Sequence, residues 1–179
     1  MAQKLQGKQV CLTALAADDL GPLAQLLQAP AVARWWGAYD EDRLRRELLD
    51  DPAAEAFAVE AEGRLVGVVD FREQQDPDYH NAALDISIGA PYQRRGLGSD
   101  AFRTLIAYLV DERGHHRLTV DPAADNLEAI RFYHKLGFER VGVMRCYERL
   151  PGGGWRDGLL MEFIVCDSEP QPNVPEREE

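Results

Sequence analysis

Gln93-Arg94-Arg95-Gly96-Leu97-Gly98 is a short basic loop punctuated by glycine, set between an apolar run (Ala83 to Ile88) and an amphipathic one (Phe102 to Val110). Its composition is that of an anion cradle. Two glycines let the chain turn tightly with no Cβ in the way, so that successive N–H groups can point into one space where a helix begins. The helix dipole adds partial positive charge there, and Arg94 and Arg95 add full charges. A diphosphate is a natural guest for such a loop.

Working outward, Ala82 to Gly89 has strand character, and Asp85 interrupts its apolar run. Asp85 has two open readings: an edge position facing water, or a carboxylate held in a cleft. On the other side of the loop, Phe102, Leu105, Ile106, Leu109 and Val110 recur at helical spacing and make one stripe, which Gly114 ends. Arg117 to Val120 is a short buried strand stopped by Asp121-Pro122, and Asp125 or Asn126 then caps a helix carrying Ala129, Phe132, Tyr133 and Leu136. Strand, helix, strand, helix in this order is α/β logic.

Toward the N-terminus, Gln9 to Leu15 reads as a first strand, and Asp18 or Asp19 as the cap of a helix with Leu20, Leu23, Leu26 and Leu27 on one face, ended by Pro30. Trp35 and Trp36 precede a polar helix near Asp42 to Leu49; adjacent residues cannot both face one core from one regular element. Phe57 to Ala61 and Leu65 to Phe71 flank Glu62-Gly63 as a β-hairpin. Phe138 to Tyr147 and Leu159 to Cys166 are further strands, joined by Pro151-Gly152-Gly153-Gly154. The chain therefore reads as one domain over residues 1–166 and an acidic, proline-rich disordered tail over 167–179.

At 179 residues there is room for one well-buried domain. The formal net charge of −11 argues against nucleic-acid binding and suits a cationic partner. Cys11, Cys146 and Cys166 are odd in number and widely spaced, so neither a disulfide framework nor a zinc site is expected. Met1 to Val10 lacks the apolar core of a signal peptide, and no apolar run approaches the ~18 residues of a membrane span, so the expectation is a cytoplasmic protein without a membrane partner.

The sequence resembles the GNAT superfamily of acyl-CoA-dependent N-acetyltransferases. Gln93 to Gly98 matches the family's Q/R-x-x-G-x-G/A loop, and Asn126 to Phe138 matches its N-x-x-A-x-x-x-Y-x-K-x-G-F helix. The resemblance implies a mixed α/β (α+β) fold with a mostly antiparallel central sheet of about seven strands, flanking helices and a V-shaped CoA cleft. Within the superfamily, Trp35-Trp36-Gly37 and Val120 to Arg131 resemble the aminoglycoside 6′-N-acetyltransferases, which also place an acidic residue where Asp85 stands. Gly154 to Met161 instead resembles acetyltransferases acting on protein N-termini.

The resemblance implies acetyl-CoA as co-substrate and no metal. Backbone groups of Gln93, Arg94, Arg95, Gly96, Leu97, Gly98 and Ser99 would hold the pyrophosphate, and Asn126 would bond the pantetheine arm or cap its own helix. Ile86 and Ile88 would present backbone to the thioester, and Tyr133 would protonate the CoA thiolate. Asp85 is the expected base for an amine acceptor, or its cation anchor, with Trp35, Trp36 and Asp40 on the acceptor side. The acceptor is expected to be a small cationic amine such as an aminoglycoside 6′-amine, with a protein α-amine or lysine as alternative, and the protein a monomer or homodimer. Two other classes remain open. Gly96 to Ala101 also satisfies the dinucleotide fingerprint G-x-G-x-x-A with Asp121 as ribose acid, and a catalytically inactive acyl-CoA-binding domain would share the same motifs. His115-His116 carries no strong functional signal.

Overall fold

The computed structural model describes residues 3–37, 39–150 and 152–165. The expected tail, Cys166 and Pro151 lie outside them.

The first strand expected from sequence is β2 (Cys11–Ala14), paired antiparallel with a preceding β1 (Lys4–Gln6) whose single apolar residue gives no periodicity to read. Helix α1 (Leu20–Leu27) buries Leu20, Leu23 and Leu27. Asp19 stands at its N-cap position, as the sequence allowed, but its side chain makes no bond to the helix and instead accepts the Ala16 N–H at 2.9 Å. Pro30 starts a helix that the sequence did not announce, α2 (Pro30–Trp36), in whose first turn the missing N–H costs nothing. Helix α3 (Glu41–Leu44) widens into a turn through Leu49 and buries Leu44 and Leu48.

Strands β3 (Ala54–Ala61) and β4 (Arg64–Gln74) form the expected hairpin. Glu62 and Gly63 at its turn have φ of 52° and 71°, the left-handed pair that matches strand twist. β5 (Asn81–Ile88) pairs with β4 along its whole length, from Gln74 opposite Asn81 to Gly67 opposite Ile88. There follow α4 (Leu97–Ala107), extended by a wider turn to Glu112, β6 (Arg117–Val120), α5 (Leu127–Lys135), β7 (Glu139–Arg149) and β8 (Trp155–Ile164).

These make one eight-stranded sheet in the order β1-β2-β3-β4-β5-β6-β8-β7, against the seven or so expected. Among the described residues only β5 and β6 are parallel, the pair connected through α4. Alternation along the strands divides the core. Val69 and Phe71 pack with Phe102, Leu105 and Leu109 of α4 and its extension and with Ile130 of α5, whereas Val68 and Ala58 pack with the leucines of α1 and α3 on the opposite face. Asp100, buried in the first turn of α4, accepts the N–H groups of Lys8, Gln9 and Val10 at 3.1, 2.6 and 3.0 Å, fastening the β1–β2 hairpin to this helix.

Candidate active site

β5 and β6 pair only at Ala82 with Leu118 and Ala83 with Thr119. Beyond Leu84 the two strands part, and the gap opens a cleft of about 340 Å³. Because it passes through the sheet, it collects side chains from both faces. Asp85 and Ser87 enter from the α1–α3 side and Tyr133 from the α4–α5 side. Asp85 thus stands on an interior strand, which replaces the edge reading, and its side chain opens to the cleft.

The backbone of β5 follows from its register. Gly89 N–H donates to the Val66 carbonyl at 2.8 Å, so alternation turns the N–H groups of Ile86 and Ile88 the other way, toward the cleft. Asp85 Oδ1 accepts the Ile86 N–H at 2.7 Å. The Ile88 N–H is therefore the strand donor best placed to face a bound carbonyl.

The wall across from β5 carries Asp121, Ala123, Asn126 and Tyr133. Asn126 Oδ1 accepts the Ala129 N–H at 3.1 Å, so its capping role is real and its side chain still lines the cleft. The Tyr133 ring is fixed by Phe102, Phe132 and Phe138, at centroid distances of 5.4, 5.2 and 5.9 Å. Burial, and then the negative charge of Asp85, pushes its phenol well above the usual range, so it stays protonated and can act as a donor. Burial also raises the Asp85 carboxyl well above its ordinary value, with the Asp70 carboxylate as the next cause. Water reaches Asp85 through the mouth of the cleft, while protein surrounds it on every other side.

The other end of the cleft is closed by α2, α3 and the β7–β8 hairpin. Trp35 and Trp36 both line it, along with Tyr39 and Arg43. Trp36 packs on Tyr39 at 5.3 Å; Tyr39 Oη donates to Glu47 at 2.5 Å, and Arg43 lies 4.0 Å over the Tyr39 ring. Tyr147 Oη donates to Asp121 Oδ2 at 2.5 Å, which with burial pushes its phenol up to about 12. Arg156 pairs with Glu148 at 2.5 Å, donates to the Trp35 carbonyl at 3.2 Å and flanks the Trp35 ring at 5.6 Å. It ties the hairpin to α2 across the mouth.

Asp40 does not reach the cleft: its Oδ1 caps α3 by accepting the Arg43 N–H at 2.8 Å. In the basic loop, Arg94 and Gly96 both have positive φ, 58° and 84°, and Gly96 opens α4. Gln93 lines the cleft and donates to the Ile88 carbonyl at 2.8 Å, and Gly98 lies against Ile86 and Ile88. The first-turn N–H groups of Leu97, Gly98 and Ser99 have no helical acceptors, so this end of α4 suits a phosphate. The two arginines part. Arg94 extends on the surface to Glu128 at 3.4 Å, while Arg95 and Leu97 line a second cavity of about 250 Å³ with Gln9, Arg64 and Tyr92.

His115 is buried outside the cleft, its Nε2 2.6 Å from Glu73 and its ring stacked on His80 at 4.0 Å, a structural arrangement. Cys146 is exposed at a bulge of β7. Among the described residues no three or more His, Cys, Asp or Glu side chains gather as a metal site. Tyr39, Arg43, Ser87, Tyr147 and Glu148 join the site with no signal in the local pattern; Asp121 and Arg156 join it from stretches already singled out, Val120 to Arg131 and Gly154 to Met161, though neither residue was read there as lining an acetyltransferase cleft.

The model of the Acetyltransferase (GNAT) family matches residues 22–138, which contain the basic loop, both flanking strands and all of α5. The chain belongs to the GNAT family. It is 29% identical over 109 residues to the [ribosomal protein uS5]-alanine N-acetyltransferase of Escherichia coli, a match spanning 61% of this chain and 56% of that relative. It is 28% identical over 158 residues to the spermidine N(1)-acetyltransferase of the same organism, covering 85% and 84%. To the aminoglycoside N(6')-acetyltransferase type 1 of Klebsiella pneumoniae it is 23% identical over 154 residues, covering 75% and 76%. The crystal structure of a GNAT-family acetyltransferase from Bacillus anthracis superposes with a TM-score of 0.77 at 19% identity, over 90% of this chain and 98% of that one. The GNAT fold leaves no place for the dinucleotide reading. Gly96 is separated from β5 by a short helical turn at Ala90–Tyr92, and Asp121 is engaged by Tyr147 across the cleft.

Proposed function

We propose that this GNAT protein is an acetyl-CoA-dependent N-acetyltransferase whose acceptor is the α-amine of a protein N-terminus. The observation that carries the reaction is the meeting of Asp85, the Ile88 N–H and Tyr133 in one cleft between diverged strands. Asp85 takes a proton from the acceptor ammonium, directly or through a water, and the freed amine attacks the thioester carbon. The Ile88 N–H faces the oxyanion that develops as the C–N bond forms. When the C–S bond breaks, Tyr133 gives its proton to the departing CoA thiolate and is reprotonated, through water, by the second proton that the acylated nitrogen sheds; the products are the N-acetylated amine, free CoA and the proton that Asp85 returns to solvent. The N-terminus of α4 and Gln93 hold the pyrophosphate end, and Asn126 lies where it meets the pantetheine arm.

The protein α-amine is supported by the 29% identity to the uS5-alanine enzyme and by Arg156, which belongs to the stretch resembling N-terminal acetyltransferases and frames the mouth. It suits the chemistry too. An α-ammonium has a pKa near ~8 and an alkyl ammonium near ~10, so the former asks less of a carboxylate base. A second reading, a small polycation such as an aminoglycoside or polyamine, is favoured by Asp121 and Glu148, which add carboxylates beyond the one that a single amine needs. Release of free thiol from acetyl-CoA decides between them when peptides with free N-termini, spermidine and aminoglycosides with and without a 6′-amine are compared. Turnover with peptides alone supports the first reading; turnover with the polycations alone replaces it with the second.

A further inference from the structure

In the pairing of β4 with β5, Asp70 stands directly opposite Asp85. Opposed residues of an antiparallel pair project from the same face with Cβ atoms about 5 Å apart, and like charges in that position repel. Asp85 opens to the cleft, whereas Asp70 is only 3% exposed, behind it and away from any acceptor. Arg72, two residues along the same face of β4, donates to Asp70 Oδ1 at 2.9 Å and is itself held by the Glu47 carbonyl at 3.1 Å. Packing alone does not call for this arrangement, since Val68 on the same face is part of an apolar core.

We propose that Asp70, clamped by Arg72, is a positioning residue that backs Asp85 and makes it a stronger proton acceptor than an isolated carboxylate. The inference rests on the reading of Asp85 as the base. Ionised Asp70 discourages a second negative charge beside it, so Asp85 holds a proton taken from the acceptor ammonium; Arg72 limits the effect, so that Asp85 is not already protonated when the acceptor arrives. Burial raises the Asp70 carboxyl to about 6, with Arg72 opposing the rise, and two carboxyls set this close interact strongly enough to share their titration steps. The other ionisable groups around Asp85 are Asp121 beyond β6, Tyr39, Arg43 and Glu47 from the α3 segment, Tyr133 of α5, and Tyr147, Glu148 and Arg156 of the hairpin.

The test is a carbon-detected NMR titration of aspartate side-chain carboxyls in the full-length protein without substrate, run on the wild type and on Asp70→Asn, Asp85→Asn and Arg72→Gln. The pair should show two steps, and Asp70→Asn should lower the Asp85 step by about one pH unit or more. Arg72→Gln should raise it. Asp85→Asn should lower the Asp70 step, which reads the same coupling in a protein that keeps the buried carboxyl. An Asp85 step unmoved by Asp70→Asn, together with an Asp70 step unmoved by Asp85→Asn, overturns the proposal. The acid limb of kcat/KM, measured on whichever amine is turned over, should follow the Asp85 step in each Asp70 and Arg72 variant; coupled titration with an unmoved limb overturns the catalytic part. If no amine is turned over, the proposed function fails, and the titration still decides whether Asp70 acts on Asp85.

Discussion

At the scale of single residues, the two side chains proposed to move protons, Asp85 and Tyr133, enter the cleft from opposite faces of one sheet. Tyr133 is held by three aromatic rings, and burial keeps its phenol protonated, which suits the proposed role of proton donor. Tyr133→Phe removes that proton and leaves the ring packing in place; kcat should fall by roughly 10²–10⁴-fold, while acetyl-CoA affinity, measured by calorimetry, stays within about twofold. Asp85→Asn should lower kcat in the same way, with acetyl-CoA binding again retained. A variant of either residue that loses acetyl-CoA affinity along with kcat would show that the side chain holds the co-substrate instead of moving a proton. Asp85 and Tyr133 were both legible in the sequence, one as a charge inside an apolar strand and the other through the α5 motif. Asp70 carried the same signal as Asp85, a charge inside the apolar run Leu65 to Phe71, and its meaning came only from the register that sets the two opposite each other.

At the scale of elements, the site depends on two junctions. The first is the close approach of β4 to β5. A Cβ on Gly67 would lie 2.2 Å from the Ser87 carbonyl oxygen and 3.0 Å from the Ile88 Cα, both backbone atoms that cannot swing aside. Gly67→Ala should therefore destabilise the protein by about 1–3 kcal/mol in urea unfolding, and it should lower kcat besides, because the strain falls on the strand that presents Ile88. The second junction is the bridge made by Arg156 between the β7–β8 hairpin and the end of α2. Arg156→Ala should raise the acceptor KM by about tenfold, the equivalent of losing one charge-assisted hydrogen bond, with the KM for acetyl-CoA unchanged. Equal rises in both KM values would mean that the hairpin shapes the whole cleft. Neither junction is visible in local patterning. The hairpin itself was readable, but its docking on α2 joins residues 121 positions apart, and α2 was concealed by a proline that ordinarily ends helices.

At the scale of the molecule, an acidic chain of net charge −11 presents a cleft lined by the carboxyl groups of Asp85, Asp121 and Glu148. Raising the ionic strength from ~0.01 M to ~0.15 M shortens the screening length from about 30 to 8 Å, so kcat/KM for a cationic acceptor should fall over that range; an unchanged value would limit the role of the surface charge to solubility. The sequence by itself determined the family and the β3–β4 hairpin, and it singled out the glycine-punctuated loop at the start of α4 together with Asp85 and Tyr133. Each of these is written in contiguous residues whose spacing is fixed by helix or strand period or by the conformational needs of a turn. The tertiary structure alone decided where β5 and β6 part, which carboxylate stands opposite Asp85, that Arg95 turns to a second cavity, and which side chains close the mouth of the cleft. Those outcomes depend on strand register and on how distant elements pack, and neither leaves a mark on the local order of residues.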